Sequence, residues 1–177
     1  MNEAELTELI QSGDNIPMLA RYLTDNPDLL PSLIKIGGNE KDSTWRAFWI
    51  ADHIHKQHPE LIVPFLPEIT EMALITKDRA KKRHLLKLIS LNKIPEEKMG
   101  ELLNFCAGRF ADASEPVAVR VHAMQVLFNI AVEQPDFAGE LIDLIEHEPE
   151  FHSSAGITSR GRKLLRKLKA IADTQAV

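Results

Sequence analysis

The stretch EPVAVRVHAMQVLFNI, residues 115–130, decides how this sequence is read. Continued to residue 132, it carries two apolar stripes. One is Val117, Val121, Met124, Phe128 and Ala131; the other is Val119, Ala123, Val126 and Ile130. Spacings of three and four place each stripe along one line of an α-helix. The two-residue offset puts the stripes on opposite sides. Arg120 is the only Lys, Arg, Asp or Glu in residues 117–132. A helix that is apolar on two sides has to be covered on two sides. A middle layer of a stack meets that demand; a surface helix of a simple bundle does not.

Working outward, helices of this dense kind alternate with ordinary amphipathic ones. Residues 43–58 hold Trp45, Phe48, Trp49, Ile50 and Ile54, and residues 78–91 hold Leu85, Leu86, Leu88, Ile89 and Leu91. Between them, residues 61–76 place Ile62, Phe65, Leu66, Ile69 and Ala73 on one face. Pro64 and Pro67 interrupt that run, so the helix is expected to start near Pro64, where a missing N–H is tolerated. A helix after Pro95 lines up Met99, Leu102, Leu103, Cys106 and Phe110. One after Pro135 lines up Ala138, Leu141, Ile142 and Ile145. Arg46, Arg83 and Arg120 recur every 37 residues, and Pro59, Pro95 and Pro135 follow at similar offsets. A period of about 33–47 residues with two helices per unit marks an α-solenoid.

The ends read as caps. Short helices are predicted at 3–11, 17–24 and 27–36, the last closed by Gly37-Gly38 as a C-terminal stop. Residues 38–43 and 153–159 read as loops. A final helix at 160–172 buries Leu164, Leu165, Leu168 and Ile171 and is basic elsewhere. The expected organisation is a single domain over 1–177, with capping helices at 1–42, core repeats at 43–148 and a basic C-terminal cap at 153–177.

Composition agrees. Leu, Ile, Val and Ala dominate an apolar share of 44%, while aromatics reach only 6%, which suits helices better than a β-sandwich. The net charge of −5 excludes a chain that binds polyanions over its whole surface, but the charge is segregated. Residues 133–150 contain seven acids and no Lys or Arg; residues 153–172 contain six bases and no acid. Cys106 is the only cysteine, so no intrachain disulfide forms and a reducing compartment is expected. The start, MNEAELTELIQSGDN, lacks the basic and apolar regions of a signal peptide. No run approaches the roughly 20 apolar residues of a membrane helix. A cytoplasmic protein without a membrane partner is expected.

The opening stretch resembles the first helix of a HEAT repeat, reading Pro116, Val119-Arg120, Ala123 and Leu127 at the motif positions. WRAFWIADHI (45–54) and RHLLKLISL (83–91) are looser copies. The resemblance implies an all-α fold, an α–α superhelix (right-handed solenoid) of about four HEAT-like repeats. It implies a groove suited to another protein or peptide, and names no chemistry. That class spans transport receptors, phosphatase scaffolds and DNA glycosylases.

Candidate chemistry is sparse. A patch for anions or nucleic acid is expected from Arg160, Arg162, Lys163, Arg166 and Lys167, with Lys169 beside them. A second cluster, Lys81, Lys82 and Arg83, is flanked by Lys77, Arg79 and Lys87. Two such patches could follow a phosphate backbone; the bland alternative is a solvated cap. Trp45, Trp49 and Asp52 lie near one helix face and match, in residue type only, the cleft of HEAT-like alkylpurine DNA glycosylases. The alternative is core tryptophan with a structural Asp capping a neighbouring turn. In HIHKQH, His55 and His58 share a face, but zinc needs three or four ligands, so a solvated helix end is the better reading. Cys106 falls on an apolar face and reads as a buried small side chain. The stretch HSSAGITSRG resembles the signature loop of the fumarase superfamily in its Ser and Gly alone; the Met, Pro, Lys and Asn that continue that loop are missing, which excludes a lyase. The sequence therefore predicts no catalytic residues, metal or cofactor. It favours a non-enzymatic scaffold, with phosphate-backbone binding as the alternative.

Overall fold

A computed structural model describes residues 1–41, 43–151 and 153–175. The described residues form helices and turns without a strand. They group into two compact units, residues 1–89 and 90–177.

The first unit opens with α1 (Glu3–Ser12). Asn2 caps it: its side chain accepts from the Glu5 N–H at 3.0 Å, and Glu5 accepts from the Asn2 N–H at 2.9 Å. This reciprocal box satisfies two N–H groups that the helix start leaves over. Gly13 ends the helix at φ +73°, a left-handed conformation that glycine adopts without strain. α2 (Ile16–Asp25) carries Pro17 in its first turn, and a 3₁₀ turn (Pro27–Leu29) leads into α3 (Leu30–Gly38). Then come α4 (Arg46–His55), a single turn α5 (Pro59–Ile62), α6 (Leu66–Ile75) and α7 (Arg79–Ser90), which reaches the unit boundary.

α4 is the centre of this unit and packs against α1, α2, α3 and α5. Phe48, Ile50 and Ile54 meet a core that includes Leu6, Ile10, Leu23 and Leu33. Two expectations are corrected. Gly37 and Gly38 do not stop α3; both are helical, and the chain leaves at Asn39 with extended backbone. Gly37 supplies space instead, since a Cβ there would lie 2.7 Å from Phe48 Cζ. The helix expected to start near Pro64 is divided. Pro59 opens α5, Pro64 sits in a 3₁₀ turn (Val63–Phe65), and Pro67 opens α6. Each ring lacks an N–H and clashes with the preceding turn, so each is held at an element's first turn.

The second unit holds α8 (Met99–Ala111), α9 (Val117–Glu133), α10 (Ala138–Glu146) and α11 (Ala155–Gln175), with 3₁₀ turns before α8 and α10. α9 packs against α8, α10 and α11, which explains its two apolar stripes. Val119, Ala123, Val126, Ile130, Met124 and Ala131 are all fully buried, while Val117 at the N-terminal end is 42% exposed. α11 begins at Ala155, so most of the loop expected at 153–159 is helical; His152 lies outside the described residues. Gly161 fits this longer helix through close packing: a Cβ there would lie 2.7 Å from Phe151 Cε2.

Arg120, the one charge in the opening stretch, is 1% exposed. Its Nε donates to the Phe110 carbonyl at 2.8 Å. Nη2 donates to Glu148 Oε1 and Nη1 to Glu150 Oε2, each at 2.5 Å. The planar fork thus ties the end of α8 and the turn after α10 to α9.

Candidate functional site

The eight residues expected to form an anion patch divide sharply. On α11, Arg160 turns inward and donates to Gln125 Oε1 of α9 at 2.6 Å. Lys167 places its ammonium 5.7 Å from the centre of the Phe128 ring, and Lys169 pairs with Glu146 at 2.8 Å. These three tie α11 to α9 and α10. Arg162, Lys163 and Arg166 remain exposed, and no acid pairs with them among the described residues. They line a cavity of about 560 Å³, together with Ser153, Thr158 and Ser159.

On α7 the expected patch is corrected. Lys81 and Lys82 are 3% and 5% exposed, so they do not present a basic surface. Lys81 Nζ donates to the Asn39 carbonyl at 2.8 Å, satisfying the end of α3. Arg83 is exposed, with Nη2 2.8 Å from His84 Nε2. In that geometry the ring nitrogen acts as the acceptor.

The structure also builds a site that the sequence only half revealed. Trp45 and Trp49 are half-buried and stacked along α4, with ring centres 6.1 Å apart. His84 of α7 stacks on Trp45 at 5.7 Å, and His53 lies tilted against Trp49 at 6.0 Å. Beside this ladder, Lys87 Nζ is 2.5 Å from Asp52 Oδ2 and His84 Nδ1 is 3.9 Å from the same oxygen. Asp52 is therefore held in a charge-assisted bond between α4 and α7. The Trp–Trp–Asp triplet is a fixed, partly exposed surface. Residue type and i, i+4 spacing showed the tryptophan pair; His84, 39 residues on from Trp45, left no local signal.

The remaining candidates resolve simply. His55 is buried, while Lys56 and Gln57 at the helix end are exposed as expected and the His58 side chain is 45% exposed. His53 and His58 line a polar cavity of about 460 Å³ with Arg21, Asp25 and Gln57, and His58 Nδ1 lies 3.2 Å from Glu60. No group of three or more His, Cys, Asp or Glu among the described residues could hold a metal. Cys106 is buried, and burial pushes its thiol pKa well above the usual range, which suppresses the nucleophilic thiolate. No helix among the described residues is long and apolar enough to cross a membrane.

Paired helices, two-sided apolar packing and a recurring arginine define an all-α repeat protein of the solenoid class. A profile described as a HEAT repeat domain matches residues 3–168, across both units, and the chain belongs to that family. Comparison with curated proteins gave no match. Comparison with solved structures gave none either. HEAT repeat domains are repeat scaffolds that often mediate protein interactions.

Proposed function

We propose that this chain is a non-enzymatic, cytoplasmic scaffold that binds another protein or peptide. The observation that carries the reading is the aromatic ladder on α4. Binding hot spots are enriched in Trp, and side chains already fixed by packing lose little entropy on association. Trp45 and Trp49 are half-buried and held by stacking on each other and on His84, beside the Asp52–Lys87 bond. The lone, buried, reduced Cys106 supports the compartment. The alternative, a nucleic-acid phosphate-backbone binder, loses support because Arg160, Lys167, Lys81 and Lys82 are engaged or buried.

The test is a selection of displayed peptides against the full chain. Peptides are expected to enrich over an inert immobilised protein. Their affinity should fall about tenfold or more in Trp49→Ala, as for a central aromatic anchor, with helicity by circular dichroism unchanged. If no peptide of any charge or hydrophobicity enriches, the scaffold reading is wrong.

A further inference from the structure

We infer that Arg162, Lys163 and Arg166 of α11 form the docking site for an acidic segment of a partner protein, one bearing clustered carboxylates or a phosphate. This rests on the scaffold reading and names the chemistry of the partner.

The argument starts from what the other bases do. Arg160, Lys167 and Lys169 each have a partner inside the second unit. Arg162, Lys163 and Arg166 have no acid partner among the described residues, although the same unit carries seven acids in residues 133–150. Arg162 and Arg166 lie four residues apart, about 6 Å along the axis, with Lys163 between them. Three like charges in about one turn repel one another, and no acid within residues 153–172 offsets them. An incoming anion relieves that repulsion.

The site also has the right donors. Two guanidinium forks donate paired N–H bonds to carboxylate or phosphate oxygens, and the ammonium adds a third cation. Ser159 lines the same cavity and brings a hydroxyl donor; it precedes Arg162 and Lys163 by three and four residues, so it shares their face. The Ser153 hydroxyl donates to the Glu150 carbonyl at 3.5 Å. The Thr158 hydroxyl is already given to the Phe151 carbonyl. The depression these residues line is shallow and open to solvent, so an extended segment can lie across it.

The footprint selects the class of partner. The electrostatic affinity for nucleic acid grows with the number of phosphates neutralised, and a long backbone needs cations spread along it. Three cations within one turn suit a short acidic stretch, and the net charge of −5 opposes a long polyanion.

The experiment uses fluorescence anisotropy with the full chain at about 150 mM salt, near the physiological value. The probes are an Asp/Glu-rich peptide, a phosphoserine peptide, an uncharged scramble and a single-stranded oligonucleotide of matched charge. The variant is R162Q/K163Q/R166Q. The control is K56Q/K77Q/K93Q, which removes the same charge from exposed positions elsewhere. An acidic peptide should bind, weaken by about tenfold or more in the first variant, as expected for charge-assisted contacts, and remain unchanged in the control. The ratio between the carboxylate and phosphoserine peptides then assigns the source of the anion. Equal binding by R162Q/K163Q/R166Q overturns the site while leaving the scaffold reading intact, and so does failure of every acidic peptide when the display selection succeeds. Tighter binding of the oligonucleotide than of either peptide overturns it in favour of nucleic acid. Self-association of the chain in sedimentation, lost in R162Q/K163Q/R166Q, overturns it in favour of the acidic residues of a second copy.

Discussion

Replacing Arg120 by methionine tests whether the buried fork holds the second unit together. The substitution keeps most of the side-chain volume and removes the charge. Glu148, whose side chain is 6% exposed, then keeps a carboxylate with no cation beside it. Removing one partner of a buried pair typically costs about 3–5 kcal/mol. Glu150 adds little, because its side chain is 42% exposed and water replaces the arginine. The Phe110 carbonyl also loses its donor, about 1 kcal/mol. A total near 5 kcal/mol follows, and at roughly 2–4 °C per kcal/mol for a chain of this size the melting temperature should fall by about 10–20 °C. Far-UV circular dichroism measures both quantities, the free energy by urea titration and the melting temperature by heating. Both tryptophans lie in the first unit, so their fluorescence does not report this unit directly. The companion R120M/E148M removes both charges, and apolar replacement of a buried pair is often neutral; it should regain more than half of the loss. A cost below about 1 kcal/mol for the single variant, or no recovery in the double, would refute the assignment of the cost to an uncompensated buried carboxylate.

Three further outcomes are expected. Gly37→Ala forces a methyl into the space of Phe48 Cζ, 2.7 Å away, and should lower stability by about 1–3 kcal/mol, read as a shift of the urea midpoint; an unchanged midpoint would show that α3 and α4 separate freely. Asp52→Asn should cost about 1–3 kcal/mol, between the ranges for exposed and buried pairs, because Lys87 is 39% exposed; a gain in stability would show that the pair is held at a net cost. Cys106 has its pKa raised by burial, so near pH 8 its thiolate fraction lies below that of a free thiol. It should stay unreactive toward a disulfide reagent until guanidinium unfolds the chain, and complete reaction of the native protein within minutes would contradict its burial.

Helical periodicity made most of the fold legible, because burial imposes the same three- and four-residue spacing wherever a helix has a covered face. α9 is the clearest case: two stripes required two neighbours, and α8, α10 and α11 supply them. Boundaries were less legible where one residue type serves two physical purposes. Glycine both terminates helices and admits close packing. Gly13 does the first and Gly37 the second, and only the neighbouring Phe48 distinguishes them. Residues 153–159 read as a loop for the same reason, although Gly156 sits within α11.

The charged residues were the least legible, and the cause is the distance along the chain at which they find partners. Arg120 meets Glu148 and Glu150, 28 and 30 residues on; Asp52 meets Lys87, 35 residues on; Arg160 meets Gln125, 35 residues back. A count of bases within one helix cannot separate those that reach a partner from those left over. The arginines that recur every 37 residues make the same point. Arg46 donates to the Gln11 carbonyl and Arg120 to the Phe110 carbonyl, each at the last turn of an earlier helix. Arg83 is exposed beside His84. An arginine at one repeat position thus satisfies a helix end where a carbonyl comes within reach, and points outward where none does. Repetition in sequence fixes the position of the cation; the tertiary neighbour decides its use. For that reason Arg162, Lys163 and Arg166 were singled out by the partners their neighbours had already taken, and not by the abundance of charge on α11.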